Sequence, residues 1–400
     1  MVNNKRKIAR VALYLFVFSL NFEIFNLLGD FGNLSIGRLT GLIYIGTLLL
    51  IGTKFKLNRF HNLLYTLITF FVIISISSML HLNEISYTIF DISLFQNGVL
   101  FFVLLIHERN DQGVLEKSLY SLSLGSLIFC VLYLMGIGIN YNQGGRLSIF
   151  GDNPNGIGIR MVVSMTFLIY YGILSSMRLS LKRVALILPI PIMFFILLET
   201  GSRVSVISFV LLTVIMLILY FLVDPIKRFV PSMIFFGLVL GLMIPFILSN
   251  ELILYRLLAS KEGDLAGRDI IWQFYIEYIL KSPLIGYGYS GFAKIANLNN
   301  GGSPHNVFIG VLLYGGLFAL LPFVWFNGQV FFNGLRMYVM KKEYLGLLLF
   351  IPYIGMIISG QSLINKLMWF ILAFNCISLC KQSSSGKINI THYPPRKKFK

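Results

Sequence analysis

The sequence predicts an all-α polytopic membrane protein with about 12 transmembrane helices and one large extracytoplasmic loop containing an amphipathic helix. Three observations predict it. The 400 residues are 56% hydrophobic and 12% charged, too little polar material to cover a water-soluble globule of that length. Apolar runs of about 18 to 22 residues, each long enough as a helix to cross a hydrocarbon core of roughly 30 Å, recur along the chain and leave no stretch for a separate soluble domain. Most of the 33 Lys and Arg residues sit in short clusters between those runs, so the formal charge of +17 reads as a topology signal rather than a nucleic-acid footprint.

The first span, 10–28, follows the basic stretch Lys5-Arg6-Lys7-Ile8-Ala9-Arg10. No small-residue cleavage site follows it and more spans come directly after, so it is expected to remain as a helix rather than leave as a signal peptide. Spans at 35–53, 60–80, 91–107 and 114–138 come next, with Lys54, Lys56 and Arg59, then Arg109 and Lys117, in alternate loops. The sixth, 154–174, opens at Pro154. In the pair 184–199 and 202–223, Pro189 and Pro191 interrupt a short first member; a re-entrant pair is the alternative, which changes the count and not the orientation. Spans at 229–249, 305–327, 344–362 and 364–380 complete the set. With the N-terminus in the cytoplasm, the loops on that side also collect Arg178, Lys182 and Arg183, Lys227 and Arg228, and Arg336, Lys341 and Lys342. Both termini are therefore expected inside.

The expected organisation is a single transmembrane domain over 1–400, an extracytoplasmic loop at 250–304 between the ninth and tenth spans, and a basic cytoplasmic tail at 381–400. Within the loop, Ile271, Phe274, Tyr275, Tyr278 and Ile279 share one helical face while Asp269, Gln273, Glu277 and Lys281 share another, the pattern of a helix lying on a membrane surface. Ser282-Pro283 ends it, and Ile285-Gly286-Tyr287-Gly288-Tyr289-Ser290-Gly291 follows as a flexible loop. Cys130, Cys376 and Cys380 all lie in apolar segments and read as small packing residues rather than disulfide or metal partners.

The basic residues outside the cytoplasmic clusters are Arg38, Arg146, Arg160, Arg203, Arg256, Lys261, Arg268, Lys281, Lys294 and Lys366. The positive-inside pattern disfavours them there, and a bound anion is one physical reason for them, because a guanidinium grips phosphate oxygens with a two-pronged fork. Gly151-Asp152-Asn153-Pro154-Asn155-Gly156, Glu199-Thr200-Gly201-Ser202-Arg203 and Ser303-Pro304-His305-Asn306 each open a helix running inward from the outer surface. Their unpaired N–H groups then point outward, and with Arg146, Arg160, Arg203 and Arg268 nearby they would form a polyanion site suited to diphosphate.

Each feature also has a plainer reading. Asn-Pro-Asn-Gly alone is a turn and cap, and Arg203 has Glu199 four residues earlier as an ion-pair partner. His305 alone is an interfacial cap residue, and Lys261, Lys281 and Lys294 read as solvated or touching lipid headgroups. Arg160 lies about 9 Å into its helix, where a charge is unfavourable and usually functional. The chain has no Gly-rich phosphate loop, no Asp-x-Asp pair and no His/Cys ligand cluster, which disfavours ATP-driven transport and nucleotide-sugar chemistry.

Taken in order, Asn153-Pro154-Asn155-Gly156, Thr200-Gly201-Ser202-Arg203, Gly267-Arg268 followed by Trp272, Ser282-Pro283-Leu284-Ile285-Gly286-Tyr287-Gly288, and His305-Asn306 ahead of Gly315-Gly316 resemble the O-antigen ligase and polymerase family of bacterial membrane glycosyltransferases. The resemblance covers about residues 150 to 330. It implies transfer of a glycan from undecaprenyl diphosphate to an acceptor sugar hydroxyl on the extracytoplasmic face of the bacterial plasma membrane, without a metal or other cofactor. On matching positions it implies Arg203 and Arg268 on the diphosphate and His305 near the reacting hydroxyl, as the catalytic set. Arg146 and Arg160, added from placement, and Asn155, Asn306 and Tyr287 complete the expected substrate-binding set.

The expected partners are an undecaprenyl-diphosphate-linked oligosaccharide, an acceptor glycan and membrane lipids, with room for a chain-length regulator and a flippase and none for nucleic acid. A repeat-unit polymerase is favoured over an O-antigen ligase because the chain has no extra outer domain to read a second kind of acceptor. A polysaccharide or lipid transporter would instead place polar residues through the depth of several helices, often in an inverted repeat, and a non-catalytic assembly component would tolerate loss of His305 and Arg268.

Overall fold

The structure, a computed structural model, describes residues 2–26, 34–53, 58–82, 91–142, 144–174, 180–223, 230, 233–234, 237, 241, 243–261, 263, 267–299, 302–359 and 363–380. The chain folds as a helical bundle. In order come α1 (Val2–Ser19), α2 (Ile36–Leu50), α3 (His61–Leu80), α4 (Ile92–Asn110) and α5 (Val114–Leu134). A short hairpin, β1 (Ile139–Tyr141) and β2 (Leu147–Ile149), leads into α6 (Pro154–Ile169), which continues as a π-helical turn over Tyr170–Leu174. Next are α7 (Leu181–Ile187), α8 (Ile190–Glu199), α9 (Arg203–Val223), α10 (Met243–Ser249) and α11 (Glu251–Lys261). The chain ends with α12 (Arg268–Lys281), α13 (Gly288–Leu298), α14 (Val307–Lys341), α15 (Leu345–Ser359), α16 (Lys366–Asn375) and α17 (Ile377–Cys380).

The core forms around α6, which packs against α5, α8, α9 and α15 and buries every residue from Gly156 to Ile169. Small residues let these helices approach closely: a Cβ on Gly158 would lie 2.6 Å from Ser205 Oγ on α9, and one on Gly355 of α15 would lie 2.5 Å from Ser208 Oγ. Buried polar atoms pair with one another, as where Ser126 Oγ donates to Asn21 Oδ1 at 2.9 Å and sits 2.7 Å from Ser164 Oγ. The outer surface is apolar in helical stripes. On α9, Ile207, Leu211, Val214, Ile218 and Leu222 are exposed, while Val206, Phe209, Met216 and Tyr220 face inward. A water-soluble protein does not present such stripes on helix after helix; they are surfaces for lipid.

Seven helices among the described residues are long and apolar enough to cross a membrane, and they fall on the expected spans 60–80, 91–107, 114–138, 154–174, 184–199, 202–223 and 305–327. The described residues give seven such helices, or eight if the bent pair α10–α11 is one span, and do not confirm the expected 12. The helix expected at 10–28 ends at Ser19 and starts in the charged N-terminal stretch; those at 35–53 and 344–362 give 15-residue helices, and that at 364–380 breaks between Asn375 and Ile377. Most of 229–242 and the whole tail 381–400 lie outside the described residues. Pro189 interrupts the helix between α7 and α8 without ending the span, which runs 19 residues from Leu181 to Glu199. At Asn250, α10 and α11 meet at 86°, which lays α11 across the ends of α8 and α9.

Two expectations about the loop change. The apolar face of α12 packs on protein rather than lying on lipid: Tyr275 is fully buried, and Ile271, Phe274, Tyr278 and Ile279 join Tyr287, Phe292, Ile295 and Leu313 in a second small core. The glycine-rich stretch after Pro283 is not a loose loop. The long helix α14 breaks at Gly315 and Gly316, whose dihedrals are non-helical, and the segment Pro283–Tyr287 docks into the break. Tyr287 N donates to Leu313 O at 2.7 Å, Leu317 N to Pro283 O at 2.9 Å and Phe318 N to Leu284 O at 3.1 Å, so the loop satisfies groups that the broken ladder leaves open. Gly286 and Gly316 have φ of +66° and +59°, and a Cβ on either would lie within 2.7 Å of the other segment's backbone.

Candidate functional site

The site is assembled at the start of three helices. At the first, Phe150 and Gly151 turn with positive φ, Ser148 Oγ donates to Asp152 O at 2.9 Å, and Asn153 caps α6 by accepting from Asn155 N at 2.9 Å, with Pro154 in the first turn. The β1–β2 hairpin just before it places Arg146 against this cap. Its guanidinium donates to Asn155 Oδ1 at 2.7 Å and to the Thr200 carbonyl at 3.0 Å.

At the second, Thr200 and Ser202 are buried and tie the turn together: Thr200 Oγ1 donates to Leu197 O at 2.6 Å, and Ser202 Oγ accepts from Ser205 N at 3.4 Å. Gly201 sits between them with φ +56°; a Cβ there would lie 3.3 Å from the Arg146 side chain and 3.4 Å from that of Arg256. The positive φ favours glycine at this turn, and both arginine side chains lie over it. Arg203 opens α9 and reaches α11, donating to Ser260 Oγ and, at 3.2 Å, to the Arg256 carbonyl. Glu199, the alternative partner for Arg203, accepts from Asn250 Nδ2 at 3.1 Å, and Asn250 in turn caps α11.

At the third, α12 holds the loop that carries His305. Trp272 Nε1 donates to Pro304 O at 2.8 Å and the Tyr275 hydroxyl donates to Gly302 O. His305 itself has φ +49°, a left-handed conformation rare outside glycine, and Asn306 caps α14 through Phe308 N at 2.9 Å and Ile309 N at 3.3 Å. Arg268 starts α12, after Gly267 turns the chain with φ +73°.

These elements enclose a cleft of about 680 Å³ whose lining includes Arg146, Arg203, Arg256, Arg268, Asn155 and His305. Burial and its neighbours Arg256, Arg268 and Arg203 push the Arg146 guanidinium down to about 10, still charged at neutral pH. Burial, then Arg203 and Arg256, lower Arg268 in the same way. Burial, then Arg268, lower His305 below the usual imidazole range, so at neutral pH it is uncharged and can accept a proton. Asp152 is the carboxylate of the cleft lining, and it is ion-paired with Arg160. Such a cleft holds clustered positive charge in partly buried surroundings, where a polyvalent anion is its natural complement.

Not every expected residue lies here. Arg160 is one turn deeper, 8% exposed, ion-paired with Asp152 and 5.8 Å from the Phe129 ring, and it lines an adjoining cavity. The Asn306 carboxamide is engaged in its cap. Tyr287 donates its hydroxyl to Tyr278 O at 2.9 Å and packs its ring against His81, away from the cleft. Conversely, Arg256 lines the cleft but was not singled out. Its signal was present, since it is one of the arginines outside the cytoplasmic clusters, yet no helix-start motif adjoins it. Among the described residues, no group of three His, Cys, Asp or Glu side chains comes together to hold a metal ion.

Residues 188–324 match the O-antigen ligase family. The matched segment spans about a third of the chain. No curated protein matches it. The matched segment contains Arg203, Arg256, Arg268, His305 and the glycine-mediated docking of Pro283–Tyr287 into α14. Arg146, in the β1–β2 hairpin, and Asn155, on α6, reach the cleft from the segment before it. The match supports a glycan-transfer function of the O-antigen ligase and polymerase type, in a membrane setting that the apolar helices provide.

Proposed function

We propose that the protein is a repeat-unit polysaccharide polymerase of the bacterial plasma membrane, transferring a glycan from undecaprenyl diphosphate to a sugar hydroxyl of an acceptor glycan. The observation that carries this reading is the convergence of Arg146, Arg203, Arg256 and Arg268 with a neutral His305 in one cleft. In this reading the cleft opens on the extracytoplasmic face, both termini are cytoplasmic, and segment 250–304 is the outer loop that completes the site. A flippase supplies the donor and a chain-length regulator acts on the product.

The arginines bind the donor diphosphate and neutralise the charge that develops as it leaves, so the leaving group needs no metal. The acceptor oxygen attacks the anomeric carbon, the bond from that carbon to the diphosphate oxygen breaks with its electron pair, and His305 takes the hydroxyl proton. The products are the extended glycan and free undecaprenyl diphosphate. A single displacement inverts the anomeric configuration; retained configuration in the product linkage would overturn it.

The test is purified protein with a defined lipid-diphosphate oligosaccharide and a chelator, without nucleotide. Products longer by whole repeats are expected. Absence of transfer under these conditions, restored by a divalent metal, would overturn the metal-free mechanism; transfer only to a different lipid acceptor would identify a ligase.

A further inference from the structure

Outside the arginine cleft, α2 and α4 stand beside each other with a groove of about 560 Å³ between them. Both helices start at its mouth. Ser35 caps α2, Asp91 caps α4 by accepting from Ser93 N at 2.8 Å and Leu94 N at 3.2 Å, and Arg38 in the first turn of α2 donates to Ser93 Oγ in the first turn of α4 at 2.6 Å. Residues equally far from the two starts therefore lie at similar depth. Leu42 and Asn97 are one turn below the Arg38–Ser93 level, about 6 Å by helical rise, and Ile45 and Leu100 follow in the next turn. Leu42, Phe95 and Val99 are exposed along the flank, so the groove opens sideways to the hydrocarbon that the apolar stripes face.

The three levels differ in chemistry. The mouth carries both signs of charge: Arg38, Lys366 and Asp91 line it, and Glu23, whose carboxylate lies against Gly37, is ion-paired with Lys366. The deepest level is apolar, with Phe16, Ile45 and Leu100. Between them lies Asn97, 2% exposed, whose Nδ2 has no hydrogen-bond partner among the described residues. A buried donor in that state is destabilising unless a group brought to the site accepts from it.

We propose that the groove binds one structural phospholipid, a diacyl glycerophospholipid with a zwitterionic, primary-ammonium headgroup. Its ammonium donates to the carboxylates of the mouth, and its phosphate accepts from Arg38 and Lys366, whose several N–H groups can each serve more than one acceptor. An acyl ester carbonyl, which lies below the phosphate in such a lipid, accepts from Asn97 Nδ2, and the chain continues past Ile45 and Leu100. Each level selects against another lipid. A net-anionic head would meet Asp91 and Glu23 with no donor for them, and a choline head carries charge but no N–H. A polyprenyl chain has no acceptor at the depth of Asn97. Seated there, the lipid walls off from the bilayer the polar cavity of about 530 Å³ that shares Arg38, Gln96, Asn97 and Lys366 with the groove. The proposal needs only the membrane setting and stands apart from the glycan-transfer reading.

The test titrates the full-length protein, stripped of lipid by detergent exchange, with single lipids and reads binding by native mass spectrometry. Diester phosphatidylethanolamine should bind with one tight equivalent and raise the melting temperature. Its diether analogue, which lacks only the ester carbonyls, and diester phosphatidylglycerol should each bind about tenfold more weakly. Asn97→Leu should bind diester and diether alike, and without lipid it should melt no lower than the unaltered protein, because it removes a donor that only the lipid satisfies. Val99→Trp, which fills the groove from its open side, should abolish the tight equivalent. Equal binding of diester and diether by the unaltered protein, a comparison that needs no variant, overturns the proposal. So does displacement of phosphatidylethanolamine by equimolar phosphatidylglycerol or polyprenyl diphosphate. A lipid-free Asn97→Leu protein that melts lower also overturns it, since the carboxamide would then serve the protein's own packing.

Discussion

Arg203 and Arg268 hold their places by backbone architecture, one by opening α9 and reaching across to α11, the other by opening α12 after a left-handed glycine. Neither is a helix-packing residue, so replacing either with Ala should leave insertion and accumulation intact. Transfer should fall by about 100-fold or more, the usual scale for removing a donor that meets developing charge. Lys at either position should rescue only partly, because it restores the charge and not the fork. Western blotting beside product analysis by gel checks both halves. His305 supplies a second residue-level prediction. Its pKa is lowered by burial and by Arg268, and in the proposed mechanism it acts in its neutral form. Activity is therefore present above that pKa and lost as pH falls through it, so the acid limb of kcat/KM should lie below about 6.5. Removing the neighbouring charge with Arg268→Gln should move the limb upward, which a pH–rate series on the residual activity measures.

At the scale of elements, the dock between Pro283–Tyr287 and the broken α14 is the feature that fixes α12, α13 and the His305 loop relative to the bundle. Both glycines in contact there have positive φ and face backbone atoms, which cannot move aside as a side chain can. Gly286→Ala or Gly316→Ala should destabilise the protein by about 2 kcal/mol or more and depress its melting temperature in detergent. Gly136→Ala is a control for strain alone, since Gly136 has φ +70° with open space around the added carbon. It should cost about 1 kcal/mol. The dock also gives a structural meaning to the sequence run around Gly286 and to Gly315-Gly316. Tyr287 in that run therefore belongs to the scaffold beneath the site rather than to its lining.

For the whole molecule, the lipid-facing stripes and the buried α6 define an inside and an outside of the bundle. Ile218→Arg, on the exposed stripe of α9, should impair membrane insertion or accumulation, since an arginine at the centre of a span disfavours insertion by about 2.5 to 3.5 kcal/mol. Fractionation of membranes checks this. The helical class and the seven long spans were legible because a hydrocarbon core demands long apolar runs. The shorter helices were not, because apolar composition continues past points where caps such as Asn365 start or stop a helix. In the site, arginines that defy the charge pattern and helix-start motifs marked Arg146, Arg203, Arg268 and His305, now found around one cleft. Arg256 breaks the charge pattern too, but its place in the cleft depends on the 86° bend at Asn250, which no local motif marks.

The four-arginine cleft has one further consequence, which concerns what remains after transfer. On the proposed function, the cleft would grip the diphosphate, a group common to the charged donor and to the spent carrier. The discharged carrier would then be a competitive inhibitor, and turnover would be governed by how quickly it departs.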